Sequence, residues 1–151
     1  MKIGDQIPAF SLPDQDWNNV SDEDLKGAPL VLYFYPKDDT PGCTKEACSF
    51  RDAYEDFIDA GARVVGVSAD TPEDHRSFKE KYHLPFDLLS DKDRNLQKVF
   101  DVPTNFFGLL PGRVTYIFDA KGTLIRKFSN QLKTERHVEE SLKALEAISL
   151  K

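Results

Sequence analysis

The sequence predicts an α/β sandwich around a central, mixed β-sheet. Three observations carry that expectation. The runs PLVLYFYP (29–36) and ARVVGVSAD (62–70) are continuously apolar and rich in β-branched and aromatic residues, as strands buried on both faces are. RVTYIFD (113–119) and TLIRKF (123–128) flank the turn signal DAKG, which predicts an antiparallel hairpin. Helical patterns fill the intervals between these strands.

In chain order, AFSLPDQDWNNVS (9–21) offers a short strand and a polar turn. After the first buried strand, Ala47, Phe50, Tyr54 and Phe57 follow one another at steps of three and four. They mark one face of a helix running from Cys43 to a stop at Gly61. TPEDHRSFKEKYH (71–83) opens a second helix, with Thr71 as N-cap, Pro72 in the first helical position and acids in the first turn. A short helix is expected in KDRNLQKVF (92–100), after a short strand. The last helix starts at a Thr134 cap and carries Val138, Leu142, Leu145 and Ile148 on one face. There is no internal repeat, low-complexity stretch or linker, and the 151 residues suit a single domain, 1–151, with one sizeable core.

Composition narrows the function classes. Hydrophobic residues make up 40% and charged residues 30%, as in a globular protein. The net charge of −6 disfavours a general binder of nucleic acid or anionic membrane, which needs a basic face. No apolar run approaches the roughly 20 residues of a membrane span. The N-terminus, MKIGDQIPAF, has neither a secretory core nor the Arg- and Ser-rich character of a transit peptide, so a cytoplasmic protein is expected, with a mature chloroplast form as the alternative. In a reducing compartment, two cysteines are expected to be chemical or inert rather than a permanent staple.

Both cysteines lie in PKDDTPGCTKEAC (36–48). The strand ending at Tyr35 should deliver this segment as a loop outside its carboxyl end, where α/β folds place their sites. Cys43 then falls in the first turn of a helix. Free N–H groups and the positive end of the helix dipole favour an anion there, so its thiol pKa is expected to fall. Thr40 can add a hydroxyl hydrogen bond, Gly42 lets a small ligand approach the backbone, and Pro36 and Pro41 fix the chain on either side. Asp38 and Asp39 partly oppose the lowering. The bland alternative is a small buried hydrophobe in an ordinary Pro-Gly loop. A zinc site is the weaker reading, since C-x₄-C has no histidine pair at usable spacing. A disulfide exchanger of thioredoxin type needs C-x-x-C. On an ideal helix, residues five apart have Cα atoms about 8.7 Å apart. A disulfide needs about 4.4–6.8 Å. Either Cys48 is a bystander, or the helix unwinds its first turns during function.

With these residues in hand, the chain resembles the peroxiredoxins. Pro36, Thr40 and Cys43 form their P-x-x-x-T-x-x-C pattern, and a second cysteine five residues on resembles the bacterioferritin-comigratory branch. VFDVPTNFFGLLPGRVTYIFDAKG and HVEESLKAL are similar to peroxiredoxin Q of plants and cyanobacteria. The likeness covers nearly the whole chain. It implies a thioredoxin-like fold with an N-terminal extension, Cys43 as the peroxidatic and Cys48 as the resolving cysteine, and Thr40 and Pro36 shaping the peroxide pocket. Arg113 matches the family arginine facing the thiolate; from sequence alone it reads as a solvated charge at a strand start.

The resemblance further implies reduction of hydrogen peroxide and alkyl hydroperoxides, an intramolecular disulfide, and recycling by thioredoxin or a glutaredoxin, with no metal, haem or flavin. The close cysteines make a resolving partner subunit unnecessary, so a monomer is expected. Rival readings are a thiol–disulfide exchanger that never meets peroxide and a non-enzymatic redox sensor. Phe106, Phe107, Leu109 and Leu110 precede Arg113 and are expected either to pack on the core or to wall the peroxide pocket.

Overall fold

The computed structural model describes residues 1–105, 110–130 and 133–149. A five-stranded sheet forms its centre, built from β3 (Leu30–Phe34), β4 (Arg63–Ser68), β5 (Asp87–Ser90), β8 (Val114–Phe118) and β9 (Leu124–Ser129) in the order β5-β4-β3-β8-β9. β3, β4 and β5 run parallel, while β8 is antiparallel to both β3 and β9, so the sheet is mixed as expected. The β8–β9 pair is the hairpin predicted around DAKG.

Alternation along β3 explains why the run PLVLYFYP is continuously apolar. Val31, Tyr33 and Tyr35 enter one core with residues of α2 (Pro41–Asp52), α3 (Tyr54–Asp59), α4 (Pro72–Tyr82) and α6 (Glu135–Ser149). Leu30, Leu32 and Phe34 enter a second core on the opposite face, with Leu25 of α1 (Asp22–Leu25) and Leu96 of α5 (Asn95–Val99). Each large side chain buried this way contributes about 1.5–3 kcal/mol. The first core is the one that receives Cys43.

Three expectations are corrected. The N-terminal stretch holds two strands, not one: β1 (Ser11–Pro13) and β2 (Asn19–Ser21) pair antiparallel as an extension before the sheet. The helix expected from Cys43 to Gly61 begins at Pro41 and breaks at Ala53 (ψ 8°), giving α2 and α3, although Ala47, Phe50 and Phe57 are all buried as the periodicity requires. Thr134 directly precedes α6, but its buried Oγ1 has no hydrogen-bond partner among the described residues, so it does not cap the first N–H groups of that helix. Thr71 does cap α4, accepting from the Asp74 N–H. A further short pair, β6 (Thr104–Asn105) and β7 (Leu110–Pro111), leads into Arg113.

Candidate active site

The loop after β3 carries Pro36, half-buried, and ends at Thr40, the residue before α2. Pro41 occupies the first helical position, which fixes φ where no N–H partner is needed. Cys43 is the third residue of α2, in the first turn as the sequence predicts, and is 2% exposed. The Thr40 hydroxyl donates to the Lys37 carbonyl (2.8 Å) and lies beside the Cys43 sulfur.

Arg113, 70 residues further along, completes the site. It is not a solvated charge: it is 4% exposed, its Nη2 lies 3.5 Å from Cys43 Sγ, and its Nη1 donates to Glu46 Oε1 at 2.8 Å. Two glycines make room for it. A Cβ on Gly42 would sit 3.0 Å from Arg113 Nη2, so the close approach at Gly42 is that of the guanidinium. A Cβ on Gly112 would sit 2.6 Å from the Pro103 carbonyl oxygen, which holds the turn leading into Arg113 tight.

Glu46 was not singled out by sequence, although its spacing from Cys43 puts both on one helical face. Its side chain is fully buried. Behind it stands His137 of α6, also fully buried, with Nδ1 3.6 Å from Glu46 Oε2 and 2.7 Å from Thr115 Oγ1. His137 Nε2 lies 2.8 Å from the Asn130 carbonyl oxygen.

The expected fall of the Cys43 pKa is not met in this arrangement. Burial pushes the thiol up, and Arg113 and Thr40 pull it down without reversing the shift, while the Glu46 charge adds to the rise. Burial also raises Glu46 to about 7 against the pull of Arg113, and burial lowers His137 to about 4. Each neighbouring aspartate is held by partners other than the thiol. Asp39 faces Lys81 and Tyr82, and Asp38 accepts from the Tyr35 hydroxyl and pairs with His75 Nδ1 at 2.6 Å.

Cys48 is half-buried on the same helix, and both cysteines are free thiols. The structure thus brings Cys43, Arg113 and Thr40 together, with Pro36 in the adjoining loop, and leaves Cys48 at helical spacing from Cys43. Phe106, Phe107 and Leu109 lie outside the described residues, as does the side chain of Leu110.

Residues 3–127 match the model of the AhpC/TSA family. The chain belongs to that family. Within it, peroxiredoxin Q of the chloroplast from Suaeda salsa is 50% identical over 145 residues, covering 96% of this chain and 68% of the relative. The corresponding protein of Arabidopsis thaliana is 49% identical over 144 residues, covering 95% and 67%. Among solved structures, the peroxidoxin BcpB of Mycobacterium tuberculosis superposes with a TM-score of 0.91 at 35% identity, covering 98% of each chain. A PrxQ variant from Xylella fastidiosa gives 0.89 at 33% identity, covering 99% of this chain and 98% of that one. The fold is therefore the thioredoxin-like fold of the peroxiredoxins, and the chain is a peroxiredoxin of the Q type, a thiol-dependent peroxidase.

Proposed function

We propose that Cys43 is the peroxidatic residue and Cys48 the resolving one, in a cycle that reduces hydrogen peroxide and organic hydroperoxides at the expense of a dithiol protein such as thioredoxin. The observation that carries this reading is Arg113 Nη2 at 3.5 Å from a cysteine sulfur set in the first turn of a helix. A guanidinium and free helix N–H groups there favour a thiolate, and they also favour the negative charge that develops on the leaving oxygen.

The Cys43 thiolate attacks the terminal oxygen of R–O–O–H. An S–O bond forms as the O–O bond breaks, and the departing alkoxide takes up a proton to leave as R–OH. Cys43 becomes a sulfenic acid. The Cys48 thiolate then attacks that sulfur, hydroxide leaves and is protonated to water, and a Cys43–Cys48 disulfide results. Five helical residues hold the Cα atoms about 8.7 Å apart. That is beyond the roughly 6.8 Å limit of a disulfide, so the first turns of α2 must open. A dithiol reductant restores both thiols by exchange. Since both cysteines belong to one helix, a monomer suffices for the cycle.

The test is peroxide consumption coupled to thioredoxin, thioredoxin reductase and NADPH. Cys43→Ser should abolish turnover. Cys48→Ser should keep the first turnover and lose thioredoxin-driven recycling, with sulfenic acid persisting on Cys43. Turnover by Cys43→Ser, or wild-type cycling by Cys48→Ser, would overturn the assignment. Turnover of protein disulfides without peroxide consumption would instead identify an exchanger.

A further inference from the structure

Three buried side-chain atoms, Tyr33 Oη, Thr134 Oγ1 and Glu46 Oε2, have no hydrogen-bond partner among the described residues, and the last of them lies behind Arg113. His137 Nδ1 lies 3.6 Å from it. The Asn130 carbonyl can only accept, so His137 Nε2 carries a proton. With the imidazole neutral, Nδ1 is then a bare lone pair, which accepts the Thr115 hydroxyl at 2.7 Å. An ionised Glu46 would turn an unpaired carboxylate oxygen towards that lone pair, which is unfavourable at low dielectric. A protonated Glu46 would turn an O–H towards it instead of a charge, sharing that lone pair with the Thr115 hydroxyl once the 3.6 Å separation closes.

From this geometry we propose that Cys43 and Glu46 share one negative charge across Arg113, and that His137 is the positioning residue that supports the neutral form of Glu46. The proposal rests on the reading of Cys43 as the reacting thiol. Among the described residues, Arg113 is the cation that bridges the two acids, with one guanidinium nitrogen on each. When Glu46 is ionised, it takes much of the guanidinium's charge and leaves Cys43 a thiol. When Glu46 is protonated, the full charge acts on Cys43, which ionises. The equilibrium is Cys43–SH + Glu46–COO⁻ ⇌ Cys43–S⁻ + Glu46–COOH, with one proton exchanged and the net charge beside Arg113 unchanged. Peroxide converts the thiolate into a neutral sulfenic acid, and the negative charge then passes to Glu46, which releases its proton.

The groups facing Glu46 agree with this. α2 contributes Cys43, α6 contributes His137, β8 and the residue before it contribute Thr115 and Arg113, and β3 contributes Tyr33. The Tyr33 hydroxyl is held well above its ordinary pKa by burial first and by Glu46 next, so it stays protonated and adds no charge. The rise of Glu46 to about 7, driven by burial, leaves both of its forms populated near neutrality.

The test is a titration of Cys43 thiolate absorbance in Cys48→Ser without peroxide, comparing Glu46 with E46Q. Glutamine keeps an acceptor for Arg113 Nη1 and presents an N–H to His137, so it imitates the neutral acid. Charge sharing predicts that E46Q moves the thiolate midpoint down by about one pH unit or more. It also predicts that the broadened curve becomes that of a single proton. A midpoint that stays or rises would overturn the proposal and leave Glu46 as an anchor for Arg113. H137F should raise the midpoint alone and have no effect alongside E46Q. An equal rise in both backgrounds would show that His137 acts only through packing. Infrared difference spectra of the same Cys48→Ser protein give a second readout. Oxidation should remove a buried protonated-carboxyl band that is missing in E46Q, and its absence from the reduced protein would also refute the proposal. None of these readouts requires turnover, so they fail independently of the peroxidase assignment, which Cys43→Ser tests.

Discussion

Glu46 and His137 should give the protein's stability two opposing pH dependences that cancel until one residue is removed. Burial raises Glu46 from its ordinary value of 4.5 to about 7 in the folded chain. The folded state therefore holds that proton more tightly than the unfolded state. The stability it contributes is present below pH 4.5 and is lost as pH rises to about 7. Burial lowers His137 from 6.5 to about 4, so its contribution has the other sign: present above pH 6.5 and lost as pH falls to about 4. Each effect amounts to about 3 kcal/mol over its window, at about 1.4 kcal/mol per pH unit. Between pH 4.5 and 6.5 the slopes oppose each other, and wild-type stability should change little on their account. Urea denaturation at fixed pH values from 4 to 7.5 reads this out. E46Q should keep only the histidine slope and grow more stable as pH rises to 6.5. His137→Gln should keep only the glutamate slope and lose stability from 4.5 to about 7. If both variants run parallel to the wild type, neither burial governs protonation, and Glu46 is ionised throughout beside Arg113.

Two further outcomes follow from packing. Gly42→Ala places a methyl 3.0 Å from Arg113 Nη2 and should displace the guanidinium. The second-order rate with peroxide should fall by up to about 10²-fold. Urea midpoints should move little, and an unchanged rate would mean that Arg113 does not act on the reacting sulfur. In hydrogen exchange, amides 42–50 should lose protection on formation of the Cys43–Cys48 disulfide, because α2 cannot hold its first turns with the bond in place. Equal protection in both redox forms would count against opening of the helix.

Which parts of this architecture were legible in the sequence depends on the range of the interaction responsible. Strands β3, β4, β8 and β9 and the Thr71 cap of α4 arise from residues within a few positions of one another, and their pattern was sufficient. So was the place of Cys43 in a first helical turn, since Pro41 and the strand before it determine where α2 begins. The break at Ala53 was not legible: RDAYED contains no glycine or proline, and the change of direction comes with the packing of Phe50 and Phe57 into one core. The Asp38 carboxylate was visible as an acid near the cysteine, but its partner His75 lies 37 residues away. The same holds more strongly for Arg113, which reads as a strand-start charge, and Glu46, 67 residues away, which the sequence reading did not single out. The sign of the Cys43 shift turns on this difference of range. The helix N-terminus acts locally and favours the thiolate, and sequence finds it. Desolvation is a property of the packed core, and a sulfur 2% exposed beneath α2 and β3 experiences it in full. Arg113 is the group brought from afar to oppose that cost, and a buried acid on its other side determines how much of its charge the thiolate receives.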